Sequence, residues 1–477
     1  MISKRHRIYY GTGGAVYAVK ESAYTMFILL FYTQVLGLSG TLTGVIIGIS
    51  LIWDGLSDPL VGMLSDRWIS RFGRRHPLMV ASAIPAGLGF IGLFHPPIAI
   101  RADEYQLALW LLFWSLWVRT FITGFAIPHL ALSAEMTSDY NERTQVLGAR
   151  MTGLFLSVVL LPAFALTFIF QQQNGVDGRF DPERYALYGA LCCAIVWLLA
   201  SVTVLGTRKF IKPSVRIDDS DRPADGLIKR MGTSLSRTWA NRTFRLIIGY
   251  ELAASVSYGT VVTLNMLAWT YYWEFSTQEI SIILAAPTII AVGLASVTLG
   301  PLSRRFQKSH LLRFALIGMV LDMLWLYPLR ALGVLPENGS STVFAVNFLF
   351  MLIFIYCFLL RAIYSTSIVA DICDENELDH GVRQEATFFS VSNFLQKVAT
   401  VAGPVYSGIV LDVIGLSEGS IPGEVPQSVL NNLILAMGLG GIPMLLVALW
   451  FVWKITMDRA RVEEIQSELR LRRTNKD

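Results

Sequence analysis

Asp54 and Asp58 stand four residues apart in SLIWDGLSDPLVGMLSDRW (Ser50 to Trp68), a stretch otherwise apolar enough for lipid. On a helix that spacing stacks both carboxylates on one face. Two such groups supply hard oxygen ligands to a monovalent cation, or share a proton that burial and mutual repulsion hold in place. The competing reading is structural: a basic residue such as Lys397 or Arg150 neutralises one of them and ties helices together. Asp66 reads differently. With Arg67 it opens the basic loop SDRWISRFGRRHP, which carries Arg74, and such a loop can latch two helices at the membrane edge in one state and release them in another. Its plain alternative is a loop kept inside by positive charge alone.

Other ionisable residues fall within apolar segments: Lys20 and Glu21, Arg119, Arg150, Glu251, Asp322, Arg361 and Lys397. A charge at the centre of a membrane helix costs roughly 2.5–3.5 kcal/mol on insertion scales, so those that persist face the bundle interior and either pair or work. Lys20 and Glu21 are adjacent and point about 100° apart, so they are not expected to share one groove. For Arg119, Glu251, Asp322 and Arg361 no partner can be named, and ion pairing or snorkelling stands beside substrate contact.

The elements that must position these groups are membrane helices. The chain has 477 residues, 53% hydrophobic and 16% charged, with a mean hydropathy of +0.52. Runs long enough to cross about 30 Å of hydrocarbon number about twelve. They cover 13–36, 41–64, 77–96, 106–132, 146–170 and 185–206, then 245–272, 280–302, 311–334, 343–368, 387–412 and 429–455. A polar stretch at 208–244 separates the two sets, dividing the chain into an N-terminal bundle (1–207), a linker, a C-terminal bundle (245–455) and a tail (456–477). GMLSDRWISRFGRR after the second segment is echoed by GPLSRRFQKSHLLR after the eighth, a weak internal repeat of the kind seen in duplicated carriers.

Placing both termini in the cytoplasm puts about 30 of the 39 Lys and Arg on the inside, as the positive-inside rule requires. MISKRHRIYY is basic but leads into no cleavable signal, so a multi-pass protein of the plasma (inner) membrane is expected. The net charge of +4 then follows from topology and implies no nucleic-acid partner. Cys192, Cys193 and Cys357 lie in apolar segments and Cys373 in a presumed inward loop, without metal spacing, so neither disulfide nor metal beyond a monovalent cation is expected. No HExxH, GxSxG or phosphate-binding loop supports an enzyme or a sensor.

Four separated stretches carry a resemblance: YYGTGGAVYAVKESAYTMFILLFYTQVLGLSG, WDGLSDPLVGMLSDRW with SRFGRRHP, IPHLALSAEMTSDYNERTQVLGARM, and VADICDENELDHGVRQEATFFSVSNFLQK. In this order they are similar to the glycoside-pentoside-hexuronide:cation symporter family, of which melibiose permease is a member, within the major facilitator superfamily. The resemblance implies an all-α membrane protein of twelve transmembrane helices in two pseudo-symmetric six-helix bundles, working by alternating access without a cofactor. It implies symport of a small solute with Na⁺, Li⁺ or H⁺, by a carrier functional as a monomer. Asp54 and Asp58 fall on the family's cation site, Arg150 on its fifth-helix arginine and Lys397 on its eleventh-helix lysine, beside Gln396. TSDYNERT places Asp139, Glu142 and Arg143 at a cytoplasmic gate, with Arg383 and Glu385 opposite. Two sugar-gripping aspartates of melibiose permease fall on Ala18 and on Ala126, and its tyrosine after Ile-Pro is His129. Substrate contact therefore passes to Lys20, Glu21 and His129. A glycoside or hexuronide is expected, with a lysophospholipid as the alternative cargo.

Overall fold

The computed structural model describes residues 2–68, 70–137, 139–173, 177–211, 239, 241–380, 385–416, 418–456 and 459–474. Its long helices are α1 (Lys4–Ser22), α2 (Gly40–Arg67), α3 (His76–Phe94), α4 (Glu104–Met136), α5 (Tyr140–Phe168), α6 (Pro182–Thr207), α7 (Arg242–Leu267), α8 (Thr277–Arg305), α9 (Lys308–Ala331), α10 (Ser341–His380), α11 (Glu385–Thr400), α12 (Ala402–Ile414), α13 (Gln427–Trp453) and α14 (Arg459–Thr474). Among the described residues, eleven helical runs are long and apolar enough to cross a membrane. α11 and α12 form one of these, from Val391 to Ile414. The remaining crossing expected from sequence, at 13–36, is also helical, because α1 continues through π-helical turns at Ala23–Phe27 and Phe31–Val35 around a short α segment, Ile28–Leu30. A π turn inserts an extra residue into the ladder and rotates the faces beyond it, a device frequent at functional sites.

Helix ends are set by local chemistry. Ser39, Asp103, Asp139 and Asp181 accept backbone N–H bonds at the starts of α2, α4, α5 and α6, which satisfies donors that lipid cannot. Pro182 at the first turn of α6 gives up only an N–H that is unpaired anyway.

The chain forms two compact units. The first holds residues 1–219 together with 262–282 and 404–433, and the second holds 220–261, 283–403 and 434–477. In the first unit α1 lies against α5 with only glycine between them: a side chain on Gly14 would meet the Arg150 carbonyl oxygen at 2.1 Å, and one on Gly153 the Gly11 oxygen at 2.2 Å. Small residues permit such backbone contact, which replaces the hydrophobic drive absent in lipid. In the second unit Phe244, Ile247, Leu312, Leu316, Leu360 and Val452 form part of one buried core. The tail helix α14 seats Ile465 and Leu469 on Leu378. None of the four cysteines forms a disulfide among the described residues and all are buried, with Cys373 inside α10 rather than in a loop.

Candidate functional site

Ser50, Asp54 and Asp58 run up one face of α2 at four-residue intervals, and Arg119 and Thr123, also four apart, face them from α4. Arg119 donates through Nε to Ser50 Oγ at 2.8 Å and lies 3.7 Å from an Asp54 oxygen. The Thr123 hydroxyl is 3.2 Å from both Asp54 Oδ1 and Asp58 Oδ1, so it bridges the two carboxylates. From α1, Lys20 places its ammonium 3.2 and 3.1 Å from the two Asp54 oxygens. Asp54, Lys20 and Arg119 are each at least 98% buried, whereas Asp58 is half-buried. The rings of Tyr17 and Tyr24 stack on the two cations, at 4.2 Å from the Lys20 nitrogen and 4.4 Å from the Arg119 guanidinium.

The paired carboxylates predicted from their spacing thus share a face. Lys20 and Arg119 pair with Asp54, two partners that spacing along α2 does not name. Lys20 also lies 3.2 Å from Glu21, so the adjacent pair does share a groove. The helical angle separates their Cβ atoms, but two long side chains have reach enough to close it. Lys20 and Arg119 thus share this site with three carboxylates, Asp54, Asp58 and Glu21.

The remaining predicted contacts divide. Arg150 is half-buried on α5, with a buried Nε that has no partner among the described residues. His129 is fully buried between α4 and α1, its Nε2 2.9 Å from the Tyr10 carbonyl oxygen and its ring stacked on Tyr10 at 4.2 Å. A side chain on Gly13 would collide with that ring. His129 therefore packs α4 on α1 through its ring and Nε2, while its buried Nδ1 has no partner among the described residues. In the second unit Lys397 and Gln396 are half-buried on α11, and Gln396 donates to Ser392 Oγ one turn back at 3.2 Å.

At the loop between α2 and α3, Asp66 bonds to Arg75 at 2.7 Å, and Arg75 also reaches Glu135 at 2.9 Å and Ser65 Oγ at 2.8 Å. Arg67 and Arg74, singled out from sequence, have no ion-pair partner among the described residues. The choice among neighbouring arginines depends on how the loop enters α3, which no motif reveals. Asp139 caps α5 by accepting from the Glu142 N–H at 2.8 Å, and Glu142 accepts from Thr137 Oγ1 and the Ile2 N–H, both at 2.9 Å. Those two donors hold the Glu142 carboxyl below its ordinary range. Arg143 is exposed, Arg383 lies outside the described residues, and so does the side chain of Glu385. In the second unit Lys308, within the echoed stretch, pairs with Asp371 at 2.7 Å. Arg75→Ala is expected to lower stability by about 1–3 kcal/mol, since two carboxylates lose a charged donor. Arg74→Ala should change thermal unfolding in detergent by less than about 0.5 kcal/mol. Equal effects of the two changes would remove Arg75 from this role.

A further cluster was missed by sequence reading. Asp412, on α12, accepts from the N–H groups of Gly40 and Thr41 at 2.7 and 2.8 Å, so its carboxylate caps the free donors at the start of α2. Nearby, the Tyr271 hydroxyl donates to Gln34 Oε1 at 3.0 Å, and Arg179 donates to Thr270 Oγ1 at 2.8 Å and the Phe275 carbonyl at 2.9 Å. The only signal was GLSG, a turn and N-cap that left open which residue arrives there.

Comparison with known proteins agrees with this architecture. The family model described as MFS/sugar transport protein matches residues 9–459. YagG of Escherichia coli (strain K12), whose name assigns it provisionally to glycoside/cation symport, is 24% identical over 98% of this chain and 95% of its own. The sodium-dependent lysophosphatidylcholine symporter 1 of Xenopus tropicalis is 22% identical over 99% of this chain and 91% of its own. A bacterial homologue of the lysosomal transporter Spinster, solved inward-facing and occupied, superposes with a TM-score of 0.64 at 15% identity, covering 94% of this chain and 95% of that one. The α2 carboxylates, the loop that follows them and the nearly full-length family match lead to one conclusion: the chain belongs to the MFS/sugar transport protein family, as a melibiose-permease-like symporter of the major facilitator superfamily.

Proposed function

We propose that this protein carries a glycoside or hexuronide across the plasma membrane together with one monovalent cation, Na⁺, Li⁺ or H⁺, taken up at Asp54 and Asp58. The observation that carries this reading is the pair of carboxylates within the apolar part of α2, Asp54 and Asp58, stacked on one face and bridged by the Thr123 hydroxyl. Oxygens so placed can ligate a monovalent cation or share a proton, and a buried carboxylate that gains a counter-charge costs less when the surrounding helices move. Asp54 is held by resident cations, so the variable position is Asp58, half-buried and bonded to the Thr123 hydroxyl. Lys397 is the coupling residue in this scheme, sensing whether the site is loaded. Arg150, with its unpartnered Nε, contacts the solute.

Both termini are placed in the cytoplasm in this reading, and the Asp66–Arg75–Glu135 cluster forms the inner gate with Asp139, Glu142 and Arg143. The Asp412 cap on α2 and the Arg179 contacts form the outer gate. Asp58→Asn is expected to abolish the Na⁺ or pH dependence of uptake in proteoliposomes while the protein still folds. Unchanged ion dependence would remove Asp58 from coupling.

A second reading, a lysophospholipid carrier, is favoured by one feature: alanine stands at both positions, 18 and 126, where a galactoside would need a carboxylate. A ligand screen decides between the two. Lysolipids, and not glycosides, would then raise thermal stability in the presence of cation.

A further inference from the structure

Each half of the chain carries a buried arginine on the fourth of its long helices, and the two are used differently. Arg119 commits Nε to Ser50 and Nη1 to Asp54. Arg361, on α10, turns Nη1 to the Tyr250 hydroxyl at 3.2 Å and toward Glu251 of α7 at 3.7 Å. Its Nε is buried without a partner, and Nη2 bonds to nothing among the described residues. Glu251 is held in turn by the Ser365 hydroxyl, one turn beyond Arg361 on the same face of α10. The Phe358 ring lies 5.0 Å from the guanidinium, and Tyr258 stacks on Phe358 at 4.8 Å.

The unused pair of donors is the informative feature. An orphaned buried donor on a charged group is costly, about 1–3 kcal/mol or more, and Glu251 could have been placed to satisfy Nε and did not do so. Nε and Nη2 form the edge of a guanidinium that matches the two oxygens of a carboxylate or phosphate in parallel. The other edge is anchored by Glu251 and Tyr250, which fixes the fork without consuming it. The side chain is 91% buried, in surroundings where a charge-assisted bond is strengthened.

We propose that Arg361 is a substrate-recognition residue whose Nε–Nη2 edge binds an oxyanion of the carried solute, a carboxylate or a phosphate, bidentately. Glu251 and Ser365 are its positioning residues. This rests on the reading of the chain as a solute carrier and adds that the solute is acidic.

The experiment is binding to the purified full-length protein in detergent, read by thermal stabilisation and calorimetry, with three probes: methyl glucuronide, the uncharged methyl glucoside, and lysophosphatidylcholine. Binding of the glucuronide but not the glucoside identifies a carboxylate as the oxyanion, and binding of the lysolipid alone identifies a phosphate. Arg361→Lys keeps the charge opposite Glu251 and loses the fork, so it is expected to fold and to weaken the anionic probe about tenfold or more. Arg361→Gln should abolish anionic binding. Equal affinity of wild type and Arg361→Lys for the oxyanion-bearing probe that binds overturns the assignment, as does failure of both the glucuronide and the lysolipid to bind. In that last case, methyl glucoside binding shows that the glycoside reading survives, and its absence shows that the glycoside reading has failed with it.

Discussion

Replacing Asp54 with asparagine is expected to destabilise the protein by about 3–5 kcal/mol, because removing one partner leaves a buried charge uncompensated. Here Arg119, 2% exposed, is stranded, and Lys20, 1% exposed, keeps only Glu21. Ion-coupled uptake should be lost as well. The informative comparison is a double-mutant cycle in which Asp54→Leu is the single change at this position. Lys20→Met alone leaves Asp54 the more distant Arg119 at 3.7 Å, so it should cost less. Lys20→Met with Asp54→Leu exchanges an ion pair for apolar packing and is expected to recover most of the lost stability. It should not recover coupled transport, since the cluster then lacks one of its carboxylates. Thermal unfolding in detergent measures the first effect and proteoliposome uptake the second. Additive single and double changes would mean that Lys20 and Asp54 do not interact.

Gly408→Val is expected to have the next largest effect. A side chain at Gly408 would lie 2.0 Å from the Gly40 carbonyl oxygen, and one at Gly44 2.3 Å from the Pro404 oxygen. Both obstacles are backbone, so no rotamer change relieves them. α2 and α12 must separate, and the Asp412 carboxylate then loses its grip on the Gly40 and Thr41 N–H groups. Leu411, 2% exposed, reports this when replaced by cysteine. Its reaction with a membrane-impermeant maleimide should accelerate about tenfold or more in the Gly408→Val background, which corresponds to ~1.4 kcal/mol in the closing equilibrium. The four native cysteines are buried and contribute a low background. Uptake should fall, because an end that cannot close cannot alternate. An unchanged labelling rate would show that the contact is dispensable.

Much of this molecule is legible one helix at a time. Hydropathy yields the crossings, and spacing along α2 puts Asp54 and Asp58 on one face, because both depend only on order along the chain and on 3.6 residues per turn. The broken geometry of the first crossing is not legible in this way. It carries Lys20 and Glu21, and its π turns shift faces that a regular period would align. Nor is the fate of each polar residue. His129 reads as a substrate contact by its place in a motif, and its ring is packed on Tyr10 and Gly13.

The sequence by itself determined an all-α membrane carrier, its family and the paired carboxylates. Only the tertiary structure decided that Lys20 and Arg119 hold Asp54, that Arg75 rather than Arg74 or Arg67 ties Asp66, that Asp412 caps α2, and that Arg361 keeps an unused edge. The physical reason is common to all four. A partner on another helix is selected by which helices pack, by their rotation and by a few ångströms of side-chain reach, and none of these is encoded in spacing along one element.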